Sequence, residues 1–133
     1  MRNNTKFKLF ILILILIPGI SEAAKKRSIN FYKNKWCIQH VGKPDVTYHN
    51  GMTIDCVTND YVFIFDYSYR WRKAIGKALY FSIETGKRAG IVLIIERARE
   101  RFYFRQLKNL IRYFSLPIDI FQVGRGVGSD EIN

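Results

Sequence analysis

"SYRWRKAIGKALYFSIETGKRAGIVLIIE", residues 68–96, contains the change of period that decides the fold. Trp71, Ile75, Ala78, Leu79 and Ser82 recur at helical spacing, and Gly86 stands where a helix C-cap is expected. Within a few residues the pattern becomes the continuous apolar run "AGIVLII", closed by Glu96. A run without polar alternation suits a central strand buried on both faces. A helix feeding such a strand predicts parallel neighbours joined by right-handed crossovers.

Working outward, a second helix is expected from about Ala98 to Phe114, with Tyr103, Leu107, Leu110, Ile111 and Phe114 on one face. "LPIDIFQVG" (116–124) reads as a final strand. Upstream, "TIDCVTNDYVFIFDY" (53–67) reads as two strands, Met52 to Val57 and Tyr61 to Tyr67, around the turn Thr58-Asn59-Asp60. Val46 to Tyr48 form an earlier strand, and Asn50-Gly51 is the strongest short hairpin signal in the chain. "INFYKNKWCIQHV" (29–41) suggests a short amphipathic helix. The order α-β-β-β-α-β-α-β describes an α/β fold, a three-layer sandwich with a mixed sheet: an antiparallel meander on one side and parallel strands on the other.

The N-terminus points to export. Arg2, Lys6 and Lys8 precede the apolar run "LFILILILI" (9–17), Pro18-Gly19 end it, and Ser21 and Ala23 supply the small residues that a signal peptidase reads. The run falls short of the roughly 20 apolar residues of a membrane-spanning helix. The expected organisation is a signal peptide over 1–23, a basic linker over 24–30, one domain over 31–123 and a disordered tail over 124–133, with no transmembrane segment once the leader is cleaved. The exported part, periplasmic or secreted, then has 19 basic against 10 acidic residues, a net charge of +9. Such a balance suggests an anionic partner: nucleic acid, anionic lipid or an acidic envelope polymer. Cys37 and Cys56, the chain's two cysteines, both fall in the exported part, and an even count in an oxidising compartment predicts a disulfide between them.

Two acids dominate the chemistry. On the third strand Ile64 and Asp66 point to one face and Phe63 and Phe65 to the other. Asp55 lies on the neighbouring strand, so a close pairing would bring Asp55 and Asp66 to one face. Carboxylates so placed suit a hard cation such as Mg²⁺. Two cationic stripes accompany them. Arg70, Lys73 and Lys77 share a face of the first long helix, and Arg101, Arg105, Lys108 and Arg112 follow at i, i+4, i+7 and i+11 on the second. A charged stripe opposite an apolar one is ordinarily a solvated face, but these contain almost no acids and suit phosphate tracking by non-specific electrostatics.

An Asp on one strand, an acidic position nine residues later on the next and then a helix resemble the PD-(D/E)XK nuclease superfamily. More closely, the segment from "WC" (36–37) through "DCVTNDYVFIFDYSYRWRKAIGKALYFSIETGKRAGIVLI" (55–94) to "LPIDI" (116–120) is similar to a family of small exported bacterial proteins with such a core. That resemblance implies a restriction-endonuclease-like fold and metal-dependent phosphodiester hydrolysis. Asp55 matches the metal-binding Asp; Asp66 sits where the superfamily has its catalytic Lys; Trp71, Ala74-Ile75-Gly76, Thr85-Gly86-Lys87 and Gly90 match the scaffold. Ile64 replaces the family's Glu, Lys77 and Phe81 replace its helix Gln and Tyr, and Arg70 replaces a Lys. An Ile at the expected Glu position argues against full activity, since it cannot ligate a cation. Asp55 and Asp66 then remain as metal ligands, with Lys77 or Lys73 as a displaced catalytic cation. The alternative is a non-catalytic, basic binding or structural protein of the cell envelope.

Other motifs point nowhere. His40 and His49 have no partner at metal-ligand spacing, Pro44-Asp45 lies one strand too early and reads as a turn, and "GRGVG" (124–128) lacks the strand-to-helix context of a phosphate loop. Tyr61, Phe63 and Phe65 alternate toward one face as core.

Overall fold

The computed structural model describes residues 25–127. The expected leader (1–23) and the distal part of the expected tail (128–133) lie outside the described residues. Eight elements follow in the expected order: α1 (Ile29–Gln39), β1 (Lys43–Thr47), β2 (Thr53–Val57), β3 (Tyr61–Tyr67), α2 (Trp71–Thr85), β4 (Arg88–Ile94), α3 (Arg101–Phe114) and β5 (Ile118–Val123). Single 3-10 turns at Ser68–Arg70 and Ala98–Glu100 lead into α2 and α3. The five strands form one mixed sheet in the order β1-β2-β3-β4-β5. β1, β2 and β3 pair antiparallel, and β3, β4 and β5 pair parallel.

The pleat sorts side chains between two cores. Val62 and Ile64 of β3 and Ile91 and Leu93 of β4 point to one face, under Trp71, Ala74, Ala78 and Phe81 of α2 and Leu107 of α3. Phe63, Phe65 and Val92 point to the other, under Trp36 and Cys37 of α1. Helices thus cover both faces, two on one and one on the other. The small residues Ala74 and Ala78 let α2 approach the sheet closely; both are fully buried. Gly86 ends α2 in a left-handed conformation (φ 68°), the cap expected of it. Gly90 is required by packing, because a Cβ there would lie 2.3 Å from Cδ1 of Phe63 on the adjacent strand.

Two expected boundaries move. α1 begins at Ile29, inside the span read as linker, because Ser28 caps it and its Oγ accepts from the Phe31 N–H at 3.3 Å. The tail also starts later than residue 124. The Ile95 N–H donates to the Val123 carbonyl, and the Gly126 N–H returns to the Ile95 carbonyl, each at 2.8 Å. Arg101 donates from Nε to the Gly126 carbonyl at 2.7 Å. The 124–127 segment therefore satisfies the Ile95 carbonyl just beyond β4, a demand that local composition does not reveal. Tyr61, Phe63 and Phe65 do face one core, and Phe121 joins them edge-on. Phe114, read into the apolar face of α3, is 64 % exposed.

Candidate functional site

The corner where β2 leaves β3 is built from an irregularity. β2 and β3 are in register at Cys56–Phe63 and Val57–Val62. Beyond that point the Phe65 N–H donates to Oδ2 of Asp55 at 2.8 Å, so a side chain takes the place of a ladder carbonyl. Ile54 packs under α2 while Cys56, two residues on, packs under α1, so the alternation of a regular strand breaks at Asp55. On the other side, β1 and β2 pair from Lys43–Val57 to Thr47–Thr53 with Asp45 opposite Asp55 as the skipped step. Asp45 adopts φ 53°, a left-handed conformation that Asp tolerates better than most residues. Pro44-Asp45 is therefore a kink within β1 rather than a turn.

Asp45 is held by the ammonium of Lys33, which is only 6 % exposed on α1. Burial pushes the Asp55 carboxyl above the ordinary aspartate range. The Phe65 N–H and the charges of Lys33 and Lys77 oppose that shift without overcoming it, and Asp45 adds to it. A half-buried carboxyl raised in this way, beside two cations, is a functional-site candidate on electrostatic grounds.

Asp66 serves a different purpose. It is 7 % exposed, its Oδ1 accepts from the Tyr67 N–H at 2.9 Å, and the same oxygen lies 3.3 Å from Nε of Arg70. It pairs across the 3-10 turn with Arg70, one member of the first cationic stripe. Ile64, at the expected Glu position, is 2 % exposed and packs with Ile54, Trp71 and Ala74. The two acids thus keep separate partners, and the side chain between them on β3 belongs to the core. Among the described residues no group of three or more His, Cys, Asp or Glu side chains is arranged to hold a metal ion. A two-carboxylate Mg²⁺ site does not fit these residues as they stand, since Asp66 is engaged by Arg70 and Ile64 offers no oxygen.

The cations fare differently. Lys73 and Lys77 on α2 and Arg105, Lys108 and Arg112 on α3 are exposed, and none forms an ion pair among the described residues. Arg101 is partly buried and anchors Gly126 rather than facing solvent freely. α2 and α3 cover the same sheet face and touch each other, so the two stripes lie on the helices of one layer.

The disulfide forms between Cys37 and Cys56, with Cα atoms 5.8 Å apart. Gly42 sits against it, where a Cβ would come within 2.6 Å of Cys56 Sγ. Lys33 lies one helical turn before Cys37, so the bond that brings Cys37 to β2 also brings Lys33 to β1; that i, i+4 relation was the available signal for the Lys33–Asp45 pair. His40 stacks on Trp36 with ring centroids 3.6 Å apart, and its Nδ1 lies 2.7 Å from the Trp36 carbonyl oxygen, while His49 lies 3.9 Å from Glu84. Both are surface contacts rather than ligands.

Sequence reading also passed over Glu96. Its side chain is 7 % exposed and bonds the Tyr32 hydroxyl and the Arg125 guanidinium. Burial pushes the Glu96 carboxyl up, but those two bonds outweigh it and hold the group below the usual glutamate value. The signal was positional: Glu96 is the first polar residue after the buried run of β4. No helix among the described residues is long and apolar enough to cross a membrane. No protein-family model matches the chain, and no curated protein or solved structure shows significant similarity to it.

Proposed function

We propose that this chain is a non-catalytic binding domain for an anionic polymer, nucleic acid in the first instance, carried on a divergent restriction-endonuclease-like scaffold. The observation that supports the reading is the pair of cationic stripes on the two helices that cover one face of the sheet. Lys73, Lys77, Arg105, Lys108 and Arg112 are exposed and form no ion pair among the described residues, and a polyanion binds them with release of its own counterions. The motifs around Asp55, Trp71, Gly90 and "LPIDI" support the scaffold, as does the strand order. Export fits the leader-like N-terminus and the disulfide.

Binding of a short DNA duplex is expected to weaken steeply with salt. Arg105→Glu/Lys108→Glu/Arg112→Glu should remove most of it and lower the salt slope by about 0.9 for each phosphate no longer neutralised. Arg101 is left intact so that the loss is not a folding effect. Unchanged affinity in the triple variant overturns the reading.

A second reading, metal-dependent phosphodiester cleavage, draws on the raised Asp55 carboxyl with Lys77 in electrostatic reach. It requires cleavage that appears with Mg²⁺ or Mn²⁺ and disappears in Asp55→Ala. The expected result is the same metal-independent background in both proteins.

A further inference from the structure

The carboxyl ends of the parallel strands carry a site distinct from the Asp55 corner. β3 ends on Tyr67, and Tyr69 follows in the 3-10 turn; β4 runs on into Glu96, and β5 into Arg125. In open α/β sheets, binding sites gather at this end, where the strands give way to loops. Tyr67, Tyr69, Glu96, Arg97, Glu100 and Arg125 line a cavity there of about 310 Å³.

Lys26 of the chain itself forms part of its wall. The Lys26 ammonium lies 3.5 Å from the Tyr67 ring centroid and 4.6 Å from that of Tyr69, and donates to the Tyr69 hydroxyl at 2.7 Å. The two rings are parallel to within 5°, with centroids 5.8 Å apart. Backbone on either side of the lysine is gripped as well. The Tyr67 hydroxyl donates to the Arg27 carbonyl at 2.6 Å, and Nη2 of Arg125 donates to the Lys25 carbonyl at 3.3 Å. One ammonium and the carbonyls before and after it are thus bound at once, without using the side chains of residues 25 or 27 at this site.

The acids of the cavity do not meet the ammonium. Glu96 is committed to Tyr32, Arg125 and the Arg27 backbone N–H, so it holds the segment by its backbone, and Oε2 of Glu100 accepts from the Glu96 N–H at 3.0 Å. The cation is met by ring faces, which suits an ammonium on an alkyl stem better than a small hydrated ion. Tyr69 and Lys26 are both exposed, so the contact is reached from solvent and can be exchanged.

We propose that this cleft is a docking site for a lysine-bearing segment of a partner polypeptide, and that Lys25–Arg27 is a built-in occupant competing for it. A tethered competitor acts at high effective concentration, so weakening it should uncover binding in trans. The test follows the Tyr67 and Tyr69 ring resonances by NMR in the unsubstituted exported chain and in Lys26→Met, titrated with acetyl-Ala-Lys-Ala-amide. The Lys26→Met chain should bind the peptide at least about tenfold tighter than the unsubstituted chain. Adding Tyr69→Leu should abolish the gain, whereas Tyr69→Phe, which keeps the ring, should retain part of it. Equal response of the unsubstituted and Lys26→Met chains, absence of binding included, overturns the proposal. So does acetyl-Ala-Met-Ala-amide binding as well as the lysine peptide. If n-butylammonium matches the peptide, the backbone contacts contribute nothing, and the polypeptide assignment fails in favour of a simple amine.

Discussion

The two faces of the sheet solve the same burial problem by different means. Under α2 and α3 the core is largely aliphatic and continuous: Val62, Ile64, Ile91 and Leu93 meet Ala74, Ala78 and Leu107, with Trp71 and Phe81 buried among them. Under α1 there is a single eleven-residue helix, an aromatic cluster of Trp36, Phe63, Phe65 and Phe121, and a covalent bond from Cys37 to Cys56. Two helices packed on strands they directly precede or follow in sequence hold themselves there by area. One short helix bearing a buried lysine is held by the cross-link as well as by its packing. The α1 face should therefore be the one whose integrity depends on a few discrete features.

The sharpest way to break that contrast is to remove the disulfide. Cys37→Ala/Cys56→Ala should lower stability by about 3 kcal/mol, measured by urea unfolding under oxidising conditions. Hydrogen exchange should rise first in α1 and β1, with the β4 amides still protected. Uniform loss of protection across both faces would show that the two cores do not differ as argued.

A smaller effect is expected where the faces communicate through the sheet. Gly90→Ala places a methyl against the Phe63 ring, which is 4 % exposed and lodged between Tyr61 and Trp36. Overpacking of this kind typically costs about 1–3 kcal/mol. The loss should appear in thermal unfolding, with the Trp36 fluorescence of the α1 face altered before unfolding. An unchanged midpoint would mean that the aromatic cluster yields freely, and the contrast would weaken.

The smallest effect is at the hinge between the two faces and has the opposite sign. Asp55→Asn keeps an acceptor for the Phe65 N–H and removes a charge that burial disfavours. Because the folded-state carboxyl titrates above its unfolded value, the folded protein holds a proton that the unfolded chain releases earlier. Stability is highest below the unfolded value and falls as pH rises through the folded one. The Asn variant should lack that fall and be the more stable protein at neutral pH, measured by urea unfolding from pH 3 to 7. A destabilised Asn variant at pH 7 would mean that Lys33 and Lys77 repay the buried charge in full.

Much of this architecture was legible because it is written locally. The change of period at Ser68, the buried run of β4 and the Asn50-Gly51 hairpin identified every strand and helix to within a few residues. The disulfide followed from the even count of cysteines and the expectation of export. What escaped notice involves partners brought together from distant positions. The kink at Asp45, its pairing with Lys33, and the closure of residues 124–127 on Ile95 each satisfy a group whose need arises only once the chain has folded. The same holds for the candidate site. Parity along β3 correctly sent Ile64 and Asp66 to one face, but it could not say that Arg70 would claim Asp66.

By itself, then, the sequence determined the order of elements, the mixed character of the sheet, the Cys37–Cys56 bond and the excess of cations, since each depends on residue type and short-range period. Only the tertiary structure decided that Asp55 is a desolvated acid replacing a ladder carbonyl while Asp66 is paired with Arg70. It alone placed the two stripe-bearing helices on one sheet face and a lysine between two tyrosines at the strand ends. The reason is physical: a side chain's charge state and availability are set by the groups folded against it, and those come from anywhere in the chain.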